Sequence, residues 1–257
     1  MGAMRPNAVK QALAEGKTVL GTSYGQLRDP EIARLLKAGG FDYVYLDGEH
    51  GGFGMETIQN ICRVASLCDL TVFTRVANMT YELIARALDC GSDGIIFPRV
   101  ESPELLEMAV SWCKFPPVGV RGYGLTAPAF DFEKVTIAQA IQHLNENSMV
   151  VFQIESVAGF EKRDELLAVP GVDAILVGPA DLSTSLGIPG EFDHPKLVST
   201  IEKIVESCVK HGVAPGIHCR NLDMAKFWRA RGFTLLSCSS EAMMLHDKAS
   251  EIVAALK

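Results

Sequence analysis

The chain has 257 residues, enough for one large α/β domain with a single buried core; 48% of them are hydrophobic and only 7% aromatic. A net charge of −7 with no lysine- or arginine-rich run argues against a nucleic-acid or anionic-membrane surface, so neither partner is expected. The seven cysteines (Cys62, Cys68, Cys90, Cys113, Cys208, Cys219, Cys238) are scattered without a C-x-x-C pair, the pattern of reduced thiols in a cytoplasmic protein rather than of a disulfide framework or zinc site.

Residues 1–16 read as a leader segment and helix, with Met1 to Met4 set aside as a candidate cloning remnant; neither a signal peptide nor a membrane-spanning run is expected. Short β-branched runs then alternate with helical periods. Strands are expected at Thr18–Thr22, Tyr43–Asp47, Thr71–Arg75, Gly94–Phe97, Met149–Ile154, Ala174–Val177, Val213–Ile217 and Phe233–Cys238. Helices are expected at Pro30–Ala38, Met55–Leu67, Tyr81–Leu88, Pro103–Cys113, Val157–Leu167, Pro195–Lys210, Leu222–Arg231 and Glu241–Leu256. Asp29, Thr80 and Ser102 stand where N-caps belong. Gly39–Gly40, Gly91, Gly171, Gly212 and Gly232 stand where left-handed stops belong.

Eight strands each followed by a helix predict a single (β/α)8 TIM barrel spanning the chain. The open doubly wound alternative would carry a Gly-rich phosphate turn after its first strand; GTSYGQ lacks the G-x-G-x-x-G spacing, and no nucleotide cofactor is expected. Residues Phe115 to Thr136 break the rhythm with three prolines and the run GVRGYG. A structureless stretch of that length is read as an excursion contributing to the active site.

In such a barrel the chemistry gathers at the C-terminal strand ends. The second strand ends on Asp47 and leads into Gly48, Glu49 and His50; the third ends on Arg75; the fifth ends Gln153-Ile154-Glu155; Gly178-Pro179-Ala180-Asp181 follow the sixth; His218 follows the seventh and Ser237–Ser240 the eighth. Charged residues there are costly unless paired or ligated. The plain structural account is a buried Arg75–Glu155 ion pair, which leaves His50 and Asp181 unexplained. No lysine falls on a predicted strand, so the desolvated amine that a Schiff-base aldolase needs is not expected. Glu155 and Asp181 offer two hard oxygens suited to Mg²⁺, with Mn²⁺ or Co²⁺ able to take its place. A retaining glycosidase also carries two strand-end carboxylates; His50 and Arg75 beside them tilt the balance toward carbonyl chemistry.

The segments AGGFDYVYLDGEHGGF, TRVAN, QIES and VGPADLSTSLG together resemble the HpcH/HpaI aldolase family, the metal-dependent pyruvate aldolases, and the resemblance runs from Gly21 to the C-terminal helix. It implies Glu155 and Asp181 as metal ligands, His50 as the catalytic histidine with Asp47 as its paired acid, and Arg75 on the keto oxygen of pyruvate. It further implies Gln153 near the metal and the amides around Gly178, Pro179 and Ala180 on the pyruvate carboxylate, although Pro179 has no N–H to give. Asp89 matches an acid that reaches a neighbouring subunit's site. Trimers or dimers of trimers are implied, with the last helix packed across a subunit boundary. The implied reaction is cleavage of a 4-hydroxy-2-oxo acid into a 2-oxo acid and an aldehyde, with His50 taking the C4 hydroxyl proton and a metal and Arg75 stabilising the enolate.

The chain departs from that family at Ser23, where many members carry Trp, at the run Leu125–Phe130, and at His218-Cys219-Arg220. These positions shape the aldehyde side and leave the acceptor open. His218 is a candidate pocket-lining residue. Arg121 is either a contact for a substrate carboxylate or an exposed loop arginine, and Tyr123 is similarly open. His143, His194, His211 and His246 read as solvated, Ser183 and Ser185 as caps of a turn. Competing functions are an oxaloacetate decarboxylase, a citrate-lyase-β-like acyl-CoA lyase, for which no basic groove is evident, and a binding barrel without catalysis.

Overall fold

A computed structural model describes residues 4–125, 127–130 and 132–257. Residues 1–3 of the candidate remnant, and Thr126 and Asp131 of the excursion, lie outside the described residues. Eight parallel strands close into a barrel in sequential order: β1 (Val19–Tyr24), β2 (Tyr43–Asp47), β3 (Thr71–Arg75), β4 (Gly94–Phe97), β5 (Met149–Ile154), β6 (Ala174–Val177), β7 (Gly216–Cys219) and β8 (Leu235–Ser240), which pairs with β1. The expected (β/α)8 barrel is the fold. Among the described residues no helix is long and apolar enough to cross a membrane.

Alternation along the strands divides the core. Tyr43, Tyr45, Phe73, Ile96, Met149, Val151, Leu176 and Leu235 fill the lumen, joined by Val9 of helix α1 (Ala8–Ala14), which plugs the N-terminal end. The intervening residues, such as Val44, Leu46, Ile95, Phe152 and Ile217, pack outward beneath the helices. Those helices are α2 (Glu31–Ala38), α3 (Met55–Leu67), α4 (Tyr81–Asp89), α5 (Pro103–Cys113), α6 (Ile137–Asn147), α7 (Val157–Glu161), α8 (Arg163–Leu167), α9 (Pro179–Ser185), α10 (Pro195–His211), α11 (Leu222–Arg229) and α12 (Glu241–Leu256). Their ends follow local chemistry. Ser102 caps the Leu105 N–H at 3.2 Å with Pro103 in the first turn of α5, and α10 stops on Gly212 at φ +68.

The recurring Gly-x-Asp before a strand has a structural use. Asp42, Asp93 and Asp173 each accept, at 2.8 Å, the backbone N–H of Leu20, Val72 and Val150 on the neighbouring strand, which fixes register at the N-terminal end of the barrel. With that end locked, the opposite strand ends are held in fixed relation.

Several expected boundaries shift. Strand β7 begins at Gly216 rather than Val213, because Pro215 has no N–H for the ladder and Ala214 makes only an isolated bridge to Ala174. Strands β1 and β8 extend to Tyr24 and Ser240, past the expected Thr22 and Cys238. The expected helix Val157–Leu167 divides at Lys162 into α7 and α8. Helices α6 and α9 were not expected; the capping box of Thr136 and Gln139 starts the first.

Candidate active site

Register brings Asp47 and Arg75 level at the mouth, since these two residues pair across β2 and β3. Both follow the parity of the lumen residues Tyr45 and Phe73, so both side chains face inward. They form a bidentate pair: Arg75 Nε donates to Asp47 Oδ1 at 3.1 Å and Nη2 to Oδ2 at 2.7 Å. Arg75 Nη1 donates to Gln153 Oε1 at 3.3 Å and lies 3.1 Å from Glu49 Oε2. Burial alone would raise the Asp47 carboxyl; the hydrogen bonds and charge of Arg75, with the His50 and Glu49 amides, outweigh it and hold the group below the usual range.

This arrangement corrects one expectation and excludes the plain alternative. Asp47 does not pair with the His50 imidazole: its oxygens are taken by Arg75, and Oδ1 accepts the backbone N–H groups of Glu49 and His50, both at 3.0 Å. Asp47 therefore orients His50 through the main chain. The imidazole stands 58% exposed at the mouth, with its Nε2 3.7 Å from Glu49 Oε2. Nor do Arg75 and Glu155 form the buried ion pair of the plain account, because the arginine's partners are Asp47, Glu49 and Gln153.

Glu155 is buried and accepts the Arg99 backbone N–H on Oε1 at 2.8 Å. Its carboxyl is raised above the usual range, chiefly by burial and then by the charges of Asp181 and Glu49. Asp181 lies in the first turn of α9, exposed toward solvent. Gly178 makes room for this pair. A Cβ there would stand 2.7 Å from Glu155 Oε2 and 3.5 Å from Gln153 Nε2. Of the expected amide donors, Gly178 N–H is already directed to the Ile154 carbonyl at 3.4 Å, and Pro179 has none. The Ala180 N–H has no acceptor among the described hydrogen bonds.

His218 joins the lumen because β7 reaches Cys219. Its Nδ1 meets Ser237 Oγ at 2.9 Å and Tyr45 Oη at 3.3 Å, and the imidazole packs edge-on to the Tyr45 ring. Burial, with the Arg75 charge, pushes its pKa down to about 4, which keeps the ring neutral at neutral pH.

Asp89 and Arg121 are not brought to this mouth. Arg121 is buried, salt-bridged to Asp89 at 2.6 Å, and stacked 4.6 Å from the centroid of Phe115. Asp89 ends α4, and the Arg121 N–H bonds the carbonyl of Lys114 just past α5, so the pair sits toward the N-terminal end of the barrel. The reading of Arg121 as an exposed loop arginine is overturned. The described contacts of the excursion, with Ser111, Lys114, Asn145 and Tyr81, all lie on the outer helical layer, so nothing described there builds this chain's own mouth.

Sequence reasoning passed over Glu49 and Arg99. Glu49 sits between Arg75 and Arg99, 3.4 Å from the Arg99 Nε. Arg99 adopts φ +51 just past β4, a costly conformation for a side-chain-bearing residue, and thereby directs its N–H onto Glu155. Its signal was positional, since Pro98-Arg99 occupies the end of β4. Every lysine lies outside the eight strands; the buried Lys114 donates to the Asn145 and Ser148 carbonyls below β5.

The chain is similar to known aldolases over most of its length. A hydroxypyruvate/pyruvate aldolase of Deinococcus radiodurans is 31% identical over 98% of this chain and 90% of its own. A 5-keto-4-deoxy-D-glucarate aldolase of Escherichia coli O157:H7 is 35% identical over 82% of each chain. The crystal structure of an HpcH/HpaI aldolase from Desulfitobacterium hafniense superposes with a TM-score of 0.92 at 32% identity, covering 96% of both chains. The family model described as HpcH/HpaI aldolase/citrate lyase matches residues 23–247, and the chain belongs to that family.

Proposed function

We propose that the protein is a divalent-metal-dependent aldolase that reversibly cleaves a 4-hydroxy-2-oxo acid into pyruvate, or a close analogue, and an aldehyde. The observation that carries this reading is the separation of charge at the mouth. Arg75 is held by Asp47, Glu49 and Gln153, which leaves Glu155 and Asp181, among the described residues, as carboxylates without an ion-paired cationic side chain. That donor set fits a hard divalent ion, Mg²⁺ first, with Mn²⁺ or Co²⁺ able to replace it. Glu155 Oε1 is spent on the Arg99 amide, and Oε2 faces the space that Gly178 keeps open. Bound there, such an ion supplies Lewis-acid polarisation of the 2-oxo acid.

The side chains account for the rest. A guanidinium has five N–H donors, and Arg75 commits three in hydrogen bonds, through Nε, one of Nη2 and one of Nη1, while Nη1 also lies beside Glu49 as an ion pair. The second Nη2 N–H, on the atom away from Glu49, is left to meet the oxo oxygen on which charge develops. His50, open at the mouth and fixed through its backbone, takes the proton from the C4 hydroxyl as the C3–C4 bond breaks to release the aldehyde, and passes a proton to C3 of the enolate to give pyruvate; condensation runs both transfers in reverse. The Ala180 N–H, at the open first turn of α9, receives the substrate carboxylate. The neutral His218, with Tyr45 and Ser237, walls the lumen beside Arg75 and bears on the acceptor.

Assembly belongs to the same reading. Helix α12 exposes Met243, Leu245, Ile252, Val253 and Leu256, a face suited to burial in a homotrimer or homohexamer. Asp89, set on the outer layer with Arg121, is placed to meet a second copy there. The seven free thiols suit a reducing cytoplasmic setting.

The test is exchange of the pyruvate methyl protons in D₂O, followed by NMR with Mg²⁺ or Mn²⁺ present. Metal-dependent exchange that survives borohydride, and that His50→Ala and Glu155→Ala each abolish, is the expected result. Wild-type exchange in either variant overturns that residue's role, and no exchange together with no metal binding overturns the reading.

A further inference from the structure

Helix α12 has one buried residue, and it is charged. Glu241, in the first turn, is 4% exposed, whereas most of the helix beyond it faces outward. Its Oε1 accepts three consecutive backbone N–H groups from the loop after β1: Gly25 at 3.0 Å, Gln26 at 2.6 Å and Leu27 at 2.9 Å. Three successive amides converging on one point make a concave anion site, and here the chain fills it with its own carboxylate. Hydrogen bonds to an ionised oxygen are of the stronger kind.

The clamped loop abuts the segment that carries His50. A Cβ on Gly25 would lie 3.2 Å from Asp47 Cβ, and one on Gly51 would lie 3.0 Å from the Gly25 carbonyl oxygen and closer still to that of Asp47. Asp47 and Gly51 bracket His50, whose imidazole has no described hydrogen bond to hold it. Glu155 is secured separately by the Arg99 amide, and Arg75 is held by Gln153 and Glu49 as well as by Asp47. The end of α12 that bears Glu241 is itself fixed. Ser240 caps the Met243 N–H at 3.3 Å, and the Ser239 carbonyl accepts from Thr22 Oγ1 at 3.1 Å.

We propose that Glu241 is a positioning residue: by clamping the Gly25–Leu27 loop against Asp47 and Gly51, it sets the place of His50 at the barrel mouth. This rests on His50 being the proton-transfer group of the proposed aldolase. Because the clamp bears on both chain segments that bracket His50, and on Arg75 only through the Asp47 carboxylate, whose Oδ1 is also held by the Glu49 and His50 amides, its loss affects proton transfer more than binding of the oxo acid. A displacement of about 1 Å in a catalytic group costs about 100-fold in rate.

The experiment compares the full-length Glu241→Ala and Glu241→Gln proteins with wild type and with His50→Ala, by steady-state kinetics and by amide hydrogen exchange. Glu241→Ala is expected to lower kcat about 100-fold while KM for the oxo acid stays within about threefold. Glu241→Gln, which keeps an acceptor oxygen at the same reach, is expected to recover most of that loss. In the alanine protein the amides of residues 25–27 and 48–51 exchange faster, while those of the central strands keep wild-type protection. Unchanged kcat, a loss appearing equally in KM, or unchanged exchange at 25–27 overturns the proposal. Should the alanine protein fail to fold, Glu241→Asp, whose carboxylate stops one methylene short of the three amides, takes its place: faster exchange confined to these two segments supports the clamp, and wild-type protection in both overturns it. Should His50→Ala retain wild-type turnover, the aldolase reading of His50 falls, and the exchange data still decide whether Glu241 holds the loop.

Discussion

His218 gives the protein a calculable sensitivity to acid. An unfolded chain protonates a histidine near pH 6.5, whereas the folded barrel, which buries the ring against Tyr45 and Ser237 with Arg75 nearby, resists protonation down to about pH 4. The folded-state value is depressed, so the unfolded state binds the extra proton between these limits. The stability associated with His218 is therefore complete above pH 6.5 and is lost as pH falls toward 4. Linkage over that interval gives about 2 kcal/mol by pH 5 and about 3 kcal/mol at the lower limit. The perturbation is His218→Phe, which keeps a planar ring and removes the titration. Urea unfolding of both proteins at a series of pH values from 7.5 to 4.5 isolates the effect, because every other titrating group is shared. The variant loses the Ser237 contact and starts lower at pH 7.5; the gap then narrows by about 2 kcal/mol by pH 5. A gap that stays constant within about 0.5 kcal/mol across this range refutes the buried, neutral assignment.

Two further substitutions probe the mouth. Arg75→Lys keeps the charge and loses the planar fork that meets both oxygens of Asp47; kcat/KM is expected to fall by about 100-fold or more with unchanged circular dichroism, and a loss below about fivefold contradicts the role given to the guanidinium. Gly178→Ala adds a methyl 2.7 Å from Glu155 Oε2 and 3.1 Å from its Cβ, while the Arg99 amide prevents the carboxylate from swinging away. Calorimetric Mn²⁺ affinity is expected to drop by about 10- to 100-fold, and wild-type affinity contradicts placing the ion on that oxygen.

The middle of the barrel was legible residue for residue. Strands β2 to β6 fall where the apolar, β-branched runs place them, because burial on both faces leaves a continuous signal in a parallel sheet. The signal weakens where strands carry polar lumen residues. Ser239 and Ser240 of β8 and His218 of β7 fall beyond the expected strands, yet all three are strand residues, and His218 meets the Ser237 hydroxyl inside the barrel. That Asp47, Arg75, Gln153 and Glu155 gather at one mouth of the barrel was legible from the strand ends. Pairing was not. Which carboxylate takes Arg75 depends on cross-strand register, and register set Asp47 directly opposite it. Arg99 stood just past a strand end, but its contribution there was not legible, since it is a backbone N–H presented by φ +51, which no side-chain pattern encodes. Glu241 escaped likewise: a glutamate opening a helix is ordinary, and its partners lie more than 200 positions earlier in the chain.

The acidic mouth also governs the order in which molecules enter. Asp47, Glu49, Glu155 and Asp181 converge there with Arg75 and Arg99, four carboxylates to two guanidinium groups. An oxo acid is an anion, and the excess of negative charge turns it away from the bare protein. A divalent cation meets attraction instead, and once seated it cancels that excess of two charges. For the proposed reaction this predicts sequential admission, positive ion before carboxylic acid. Added salt, which shortens the reach of the repulsion to a few ångströms at high concentration, eases arrival of the acid at the metal-free protein and hinders arrival of the ion.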